Sequence, residues 1–234
     1  MERQTNTYLP ENLIDEAFSA KEVARCTAGK REAVYVAVDP PSHQRSNFGI
    51  MACCYGSMGE YIMLGGGEIS AQRCEVLQVQ ATVGEFLRRL RGHAWVKTRI
   101  ICPIIECNNN EILANAILSV FNAHGPIQMP FVTRYFSESI ADQVGVLTTE
   151  KNKVAMLHGC YSALLDNRIH FATQCVSVNK AAYQFSAADS TFAATKELLA
   201  KELKAFRDLP NGKISGRMTD GMSDDIGMAF LMVM

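Results

Sequence analysis

Residues 33–41 read AVYVAVDPP, and this stretch decides the fold because it joins a buried strand to an abrupt polar end. Residues 33–38 are β-branched, aromatic or small and carry no charge, which is typical of a strand buried on both faces. Asp39 follows directly, and the two prolines after it stop both strand and helix. The stretch therefore predicts a central strand that brings one carboxylate to its carboxyl end.

Two more strands are predicted immediately downstream. Residues 48–55 and 61–70 are strand-like runs separated by Gly-Ser-Met-Gly, a loop typical of a β-hairpin. Three consecutive antiparallel strands are therefore expected. The glycines at 65–67 predict a bulge, because glycine is unfavourable in a flat strand.

The rest of the chain alternates between helical and strand-like patterns. The clearest strand, 96–106, reads VKTRIICPIIE and ends in Glu106. Helices are predicted at about 11–25, 82–91, 110–123, 149–165, 191–206 and 224–234, and short strands at 131–135, 169–172 and 213–217. Because strands separated by helices pair in parallel, we expect a mixed α/β domain whose sheet begins with antiparallel strands and continues with parallel ones.

Composition limits the classes of function. The chain has 234 residues, 48% of them hydrophobic, and a net charge of −1. No apolar run reaches the roughly 20 residues that span a bilayer, so no membrane partner is expected. The eight cysteines contain no C-x-x-C pair, which predicts buried free thiols and a reducing intracellular compartment. A net charge near zero does not exclude nucleic acid, because charge distribution matters more than the total.

Acidic residues at strand ends and helix starts are the candidate chemistry. Asp39 and Glu106 each end a buried strand, and Asp224 and Asp225 open the last apolar helix. Functional groups gather at such places in sheets with parallel strands. Clustered carboxylates repel each other unless they are protonated or bind a cation. Oxygen ligands alone favour Mg²⁺ or Mn²⁺, and two such ions can hydrolyse a phosphodiester.

Purely structural roles remain open for some of these acids. An aspartate before proline is commonly a turn residue, and the sequence Ser223-Asp224-Asp225 can cap a helix without any metal. Other catalytic systems have less support, because the sequence contains neither an H-E-x-x-H nor a G-x-S-x-G motif. Ala28-Gly29-Lys30 lacks the first glycine of a phosphate-binding loop.

Three segments resemble motifs of the nuclease domain of viral terminase large subunits. They are VYVAVDP at 34–40, IICPIIECNNN at 100–110 and MSDDIGMAFLM at 222–232, and their spacing is most similar to the herpesvirus branch. The resemblance covers about residues 32–234 and implies the ribonuclease H-like fold. It implies that Asp39 is the first metal-binding aspartate, that Glu106 is the central glutamate, and that Asp224 or Asp225 is the final aspartate.

The resemblance also implies a biological role. Domains of this family cut concatemeric double-stranded viral DNA into unit genomes during capsid packaging, in the host cell nucleus, using two Mg²⁺ or Mn²⁺ ions. The implied partners are double-stranded DNA, other terminase subunits and the capsid portal. The family's N-terminal ATPase motor is missing, which implies a C-terminal domain with an extension at 1–31 and a nuclease domain at 32–234.

DNA contacts are less well defined by the sequence. Lys151 and Lys153 lie near the start of one predicted helix, and Arg88 and Arg89 lie near the end of another. All four are candidates for neutralising phosphates, although such clusters are more often solvated helix faces.

Three other functions remain open. A ribonuclease H or Holliday-junction resolvase would share the fold and the acids. An actin- or hexokinase-like nucleotide-binding module also begins with three antiparallel strands, but it normally has a glycine-rich hairpin where 40–47 contain no glycine. A catalytically inactive domain that docks a capsid or packaging partner is the third.

Overall fold

The computed structural model describes residues 7–23, 33–41, 47–69, 75–93, 96–97, 99–108, 111–125, 146–178, 189–217 and 224–234. The elements in chain order are α1 (Glu11–Ser19), β1 (Val34–Asp39), β2 (Phe48–Tyr55), β3 (Tyr61–Ile69), α2 (Val76–Gly92), β4 (Ile101–Ile105), α3 (Glu111–Ala123), α4 (Glu150–Leu165), β5 (Ile169–Val178), α5 (Asp189–Ala205), β6 (Arg207–Asp208), β7 (Ile214–Ser215) and α6 (Asp225–Val233). The predicted mixed α/β architecture is confirmed.

The main sheet has five strands in the order β4-β1-β2-β3-β5. β2 is antiparallel to both β1 and β3, whereas β4 pairs in parallel with β1 and β5 pairs in parallel with β3. The predicted order of strand pairing, antiparallel for the first strands of the chain and parallel for the later ones, is thus confirmed. The strand register shifts at Gly65 against both neighbouring strands, as the glycine run predicts. A Cβ at Gly65 would lie 2.1 Å from the Val176 carbonyl oxygen, so glycine is needed for this pairing.

Several element bounds differ from the predictions. The strand predicted from residue 96 begins at Ile101, because the N–H groups of Val96 and Lys97 bond to the carbonyl of His93 in a turn after α2. The helix predicted at 82–91 begins at Val76, and the helix predicted at 11–25 ends at Ser19. β5 continues beyond its predicted end because it pairs along β3. The strand predicted at 131–135 lies outside the described residues.

Side-chain alternation gives the sheet two different faces. Ala37, Met51, Met63 and Ile104 contact the core that contains α1, α4, α5 and α6, and we call this side the α6 face. The other side, which packs against α2 and α3, we call the α2 face. Cys53 belongs to the α6 face and Cys54 to the α2 face, as expected for adjacent strand residues.

The segment before β1 packs on the same core. Leu9 and Ile14 are fully buried on the α6 face, and the Tyr8 N–H donates to the Phe206 carbonyl at 2.9 Å. The division of the chain between residues 31 and 32 stays a prediction. None of the helices in the described ranges is both long and apolar enough to cross a membrane.

The cysteines agree only in part with the prediction of free thiols. Cys53, Cys102, Cys107, Cys160 and Cys175 are free. The prediction is wrong for Cys54, which is disulfide-bonded. Adjacent cysteines therefore differ in chemistry because they lie on opposite faces of β2.

Candidate functional site

The candidate site is built on a row of residues that crosses four strands of the α6 face. Asp39 pairs with Gly49 across β1 and β2, and Gly49 pairs with Glu68 across β2 and β3. On the other side of Asp39, the Glu106 N–H donates to the Val38 carbonyl at 2.9 Å and extends the parallel pairing of β1 with β4. Strand geometry therefore places Glu106 beside Asp39, and the sequence prediction that these two acids are neighbours is confirmed.

Gly49 makes room in this row for the first turn of α6. A Cβ at Gly49 would lie 2.1 Å from the carbonyl oxygen of Asp225, so a larger residue there would displace the helix. Asp224 and Asp225 are only 7% and 5% exposed. The start of α6 thus brings the last two predicted acids down onto the sheet next to Asp39.

Burial and the three other acids determine the electrostatics of Asp39. Burial raises the pKa of Asp39 well above its ordinary value, and so does the negative charge of Glu106. Asp225, a hydrogen bond with Glu106 and then Asp224 raise this pKa further. Asp39 therefore favours a proton or a cation in its surroundings, and Asp225 affects it more strongly than Asp224 does.

A polar network holds the carboxylate of Glu106. The Thr148 hydroxyl donates to Glu106 Oε1, and Thr148 is fixed by Asn108. Asn108 Nδ2 donates to the Thr148 carbonyl at 2.9 Å, and Asn108 Oδ1 accepts from the Thr148 N–H at 2.8 Å. Thr149, and not Thr148, caps α4 by accepting from the Asn152 N–H at 3.2 Å. The sequence reasoning did not assign Asn108 or Thr148 to the site, although the asparagines after Glu106 were a signal.

Asp224 is held by the segment around β7. Its Oδ2 accepts from Ser215 Oγ and from the Gly216 N–H, each at 2.9 Å, and its Oδ1 accepts from Arg217 Nε at 3.1 Å. Although Asp224 is the N-cap residue of α6, its side chain does not cap that helix. In the part of the chain that is described, no three His, Cys, Asp or Glu side chains are grouped as a metal site.

All four acids line an open cavity of about 340 Å³. Lys153, Lys213 and Arg217 lie in its wall as well, together with Asn108 and Thr148 and three further residues from the β6–β7 region, namely Leu209, Ile214 and Ser215. Lys153 Nζ lies 3.4 Å from the Ile214 carbonyl oxygen and 3.5 Å from Glu150 Oε1. Acidic and basic side chains thus meet at one solvent-accessible cavity, which suits a polyanionic substrate held near cations.

The four predicted DNA contacts are divided between two places. Lys153 lines the cavity, while Lys151 is exposed on the same helix. Arg88 and Arg89 lie on α2, on the other face of the sheet, where both bond to Glu85. The structure therefore brings Lys153 to the acids and leaves the two arginines away from them.

Two further buried acids, Glu68 and Glu202, lie near the start of α6. Glu68 and Glu202 are each 2% exposed, and Glu202 Oε2 accepts from the Gly227 N–H at 2.8 Å. Burial, and then the charge of Glu68, raise the pKa of Glu202 to about 10. Neither Glu68 nor Glu202 was predicted from the sequence as a site residue. Strand alternation was the available signal, because Glu68 has the opposite parity to the α2-face residue Ile69.

Comparison with known proteins gives similarity at the level of structure. No protein-family model and no curated protein sequence matches the chain. The chain is similar to the human cytomegalovirus terminase nuclease domain, Mn soaked and inhibitor bound, with a TM-score of 0.67 and 15% identity over 97% of this chain and 93% of that one. A second structure of that domain gives a TM-score of 0.66 and 15% identity, covering 96% of this chain and 92% of that one.

A phage protein extends the same similarity. The large terminase from a thermophilic bacteriophage gives a TM-score of 0.51 and 10% identity, covering 94% of this chain and 44% of that one. At these identities the likeness establishes the fold. The predicted ribonuclease H-like fold, and the resemblance to terminase nuclease domains at the level of fold, are confirmed.

Proposed function

We propose that this chain is a metal-dependent DNA endonuclease of the terminase type, with Asp39, Glu106, Asp224 and Asp225 as its metal-binding acids. The observation that carries the proposal is the convergence of these acids on one open cavity at the carboxyl ends of two parallel strands. Buried carboxylates so close together destabilise the fold unless protons or cations offset their charge. A catalytic site explains that arrangement better than a structural role does.

The residues fit hard divalent cations. The donor set is formed by carboxylate oxygens, and the described residues of the cavity wall include no histidine or cysteine, which favours Mg²⁺ or Mn²⁺. Two such ions, when bound, activate a water and stabilise the leaving oxygen of a phosphodiester. The raised pKa of Asp39 is consistent with this role, because a nearby cation would stabilise the ionised carboxylate.

The acids would have different tasks. Glu106 is oriented by Thr148 and would keep its position when an ion binds. Asp224 and Asp225 both line the cavity, so both are candidates for the final metal-binding aspartate. Asp224, whose carboxylate already accepts from Ser215 and Arg217, would serve as a ligand or as an anchor for the cavity wall.

DNA would bind along the basic side of the cavity. Lys153, Lys213 and Arg217 can neutralise phosphates next to the acids, and such contacts give affinity with little sequence reading. Lys153→Gln should reduce the dependence of DNA affinity on salt by about one unit of slope. The contacts predicted for Lys151, Arg88 and Arg89 are tested by the same titration, and an unchanged slope would argue against each of them.

The motif resemblance and the likeness to the cytomegalovirus nuclease domain support a proposal for the biological setting. We propose that the chain cuts concatemeric double-stranded viral DNA into unit genomes during capsid packaging in the host cell nucleus. It would act with other terminase subunits and the capsid portal. Residues 32–234 would form the nuclease domain, and residues 1–31 its N-terminal extension.

Cleavage of supercoiled plasmid with Mn²⁺ or Mg²⁺ tests the proposal. The unaltered chain should nick or linearise the plasmid, and Asp39→Asn or Glu106→Gln should reduce the rate by about 10²–10³-fold, because each removes a charge from the reacting centre. Asp166→Asn is the matched control, since Asp166 is exposed after α4. Cleavage at the unaltered rate by either site variant would contradict the assignment.

A panel of substrates separates the alternatives. Duplex DNA should be cut faster than an RNA–DNA hybrid or a four-way junction, and the reverse order would favour a ribonuclease H or a resolvase. Tight ATP binding by calorimetry, without cleavage, would favour a nucleotide-binding module. A folded chain that neither binds Mn²⁺ nor cuts DNA would favour a docking domain.

A further inference from the structure

The start of α6 is a helix end whose own capping residue is used elsewhere. An N-cap aspartate normally accepts a hydrogen bond from the N–H of the second or third helical residue. Asp224 occupies this position, but its carboxylate accepts from Ser215, Gly216 and Arg217 instead. The first turn of α6 therefore needs another acceptor.

Glu202 of α5 supplies that acceptor from outside the helix. Its Oε2 accepts from the N–H of Gly227, the third residue of α6, at 2.8 Å. Glu202 is 2% exposed, so water does not compete for this bond. A buried helix N–H without an acceptor is unfavourable, which makes this contact important for the position of the turn.

Two glycines permit this arrangement. A Cβ at Gly227 would lie 3.3 Å from Glu202 Oε2 and 3.1 Å from Phe206 Cε2, so glycine allows α5 to approach closely. On the opposite side, Gly49 lets the Asp225 backbone rest on the sheet. The first turn of α6 is thus fixed between α5 and β2, directly beside Asp39.

We infer that Glu202 is a positioning residue that caps α6 in place of Asp224, so that the Asp224 carboxylate stays in the cavity wall and the first turn of α6 holds Asp225 beside it. An N-cap aspartate ordinarily accepts from an N–H of this turn, so without Glu202 we expect the Asp224 side chain to cap α6 and to leave the cavity. The inference rests on the proposed function for its metal-binding consequence, while the capping contact stands independently of it.

Two measurements on the full chain test the inference: Mn²⁺ affinity by calorimetry and exchange of the Gly227 amide hydrogen. Glu202→Ala and Glu202→Leu both remove the acceptor, and Leu also fills the space. Each should weaken Mn²⁺ binding by about 10- to 100-fold, the usual effect of losing a group that orients ligands, and should accelerate Gly227 exchange. Glu202→Gln keeps an acceptor oxygen and should restore both properties to near the original values.

Leu203→Ala is the matched control, because Leu203 is fully buried on the same helix and has no polar contact with α6. It should lower thermal stability without changing the Mn²⁺ affinity of the folded protein. Unchanged affinity in the two apolar variants, or an equal loss in Leu203→Ala, would overturn the inference. If neither apolar variant folds, Glu202→Gln decides alone: retained affinity and Gly227 protection support the cap, and loss of either overturns it.

The same experiment distinguishes failure of the proposed function from failure of the inference. If the unaltered chain does not bind Mn²⁺, the proposed metal site is wrong. Gly227 exchange then still reports on the cap. If the unaltered chain binds Mn²⁺ and Gly227 exchange is insensitive to Glu202, the cap is wrong and the metal site remains.

Discussion

The two faces of the sheet are built from the same strands but serve different purposes. On the α2 face, the strand residues and the helices α2 and α3 form an apolar core, and charged groups such as Glu85 and Arg88 stay at the outer surface. The α6 face is also largely apolar, yet it carries a row of acids that runs from the partly buried Glu106 through the buried Asp39 to the buried Glu68. Alternation of side chains allows one face to stabilise the fold while the other carries charge.

The charges on the two sides also act on stability in opposite directions. Arg88 and Arg89 lower the pKa of Glu85 to about 2, so the ionised form of this group favours the folded state. Burial and neighbouring acids raise the pKa of Asp39, so its ionised form favours the unfolded state when no cation is bound. Asp39 therefore opposes folding at neutral pH, as expected for a residue of a functional site.

Removal of a core side chain from the α2 face should have the largest effect on stability. Phe86 is fully buried there, and Phe86→Ala should lower the free energy of unfolding by about 3–5 kcal/mol in a urea titration. The Mn²⁺ affinity of the remaining folded protein should not change, because the sheet separates Phe86 from the cavity. Weaker Mn²⁺ binding by folded Phe86→Ala would break the proposed division between the faces.

A substitution that removes an acid from this row should raise the stability of the fold instead of lowering it. In the absence of metal, Asp39→Asn should raise the free energy of unfolding at pH 7.5, because it removes a carboxyl group that must either bind a proton or bury its charge among other acids. Because the pKa of Asp39 is raised in the folded state, the folded chain keeps this proton above pH 3.8, whereas the unfolded chain loses it. The cost of Asp39 to the stability of the unaltered chain therefore grows as pH rises. Urea titrations in EDTA should show the gain shrinking between pH 7.5 and pH 4.5.

Asp166→Asn gives the baseline for that comparison, because Asp166 is exposed and lies outside the row. The variant should have nearly the same stability as the unaltered chain at both pH values. Loss of stability in Asp39→Asn at pH 7.5 would mean that the row stabilises the fold, and the contrast between the two faces would fail.

Loss of the hydrogen bond that orients Glu106 should reduce the rate of DNA cleavage less than loss of a metal-binding acid does. Thr148→Val keeps the side-chain shape and removes the hydroxyl that donates to Glu106, so we expect kcat/KM for plasmid cleavage to fall about 10- to 100-fold. Thr149→Val is the matched control. It should reduce stability by about 1 kcal/mol through loss of the α4 cap without lowering the cleavage rate of folded protein. Equal cleavage rates for Thr148→Val and Thr149→Val would show that Thr148 does not contribute to the site.

The sequence predicted the acids that end strands better than the acids that lie within elements. Asp39 and Glu106 could be found because each follows an uninterrupted apolar run, and parallel pairing then makes them neighbours. Glu202 could not be assigned in this way, because its capping contact with Gly227 depends on how α5 packs against α6. Long-range packing of this kind is not encoded in local periodicity.

The predicted bounds of some elements differ from the structure for a similar reason, because local sequence patterns do not report long-range contacts. The strand predicted at 96–106 includes part of a turn that follows α2, and the sequence pattern alone does not separate this turn from β4. Thr148 and Thr149 are both suitable cap residues by sequence. Only the parallel bridge between Glu106 and Val146 places Thr148 beside the acid.

The smallest expected effect concerns the charges of the α2 side. Glu85→Gln weakens the bonds to Arg88 and Arg89 and should lower the free energy of unfolding at pH 7 by less than about 1 kcal/mol, because these groups are partly exposed and screened by solvent. The pKa of Glu85 is lowered from 4.5 to about 2, so its contribution is present above pH 4.5 and is lost as pH falls towards 2. Thermal unfolding at pH 7 and pH 2.5 should therefore show a difference between the two proteins that diminishes on acidification. A difference that grew at low pH would give Glu85 the same sign as Asp39 and would contradict the opposition between the two faces.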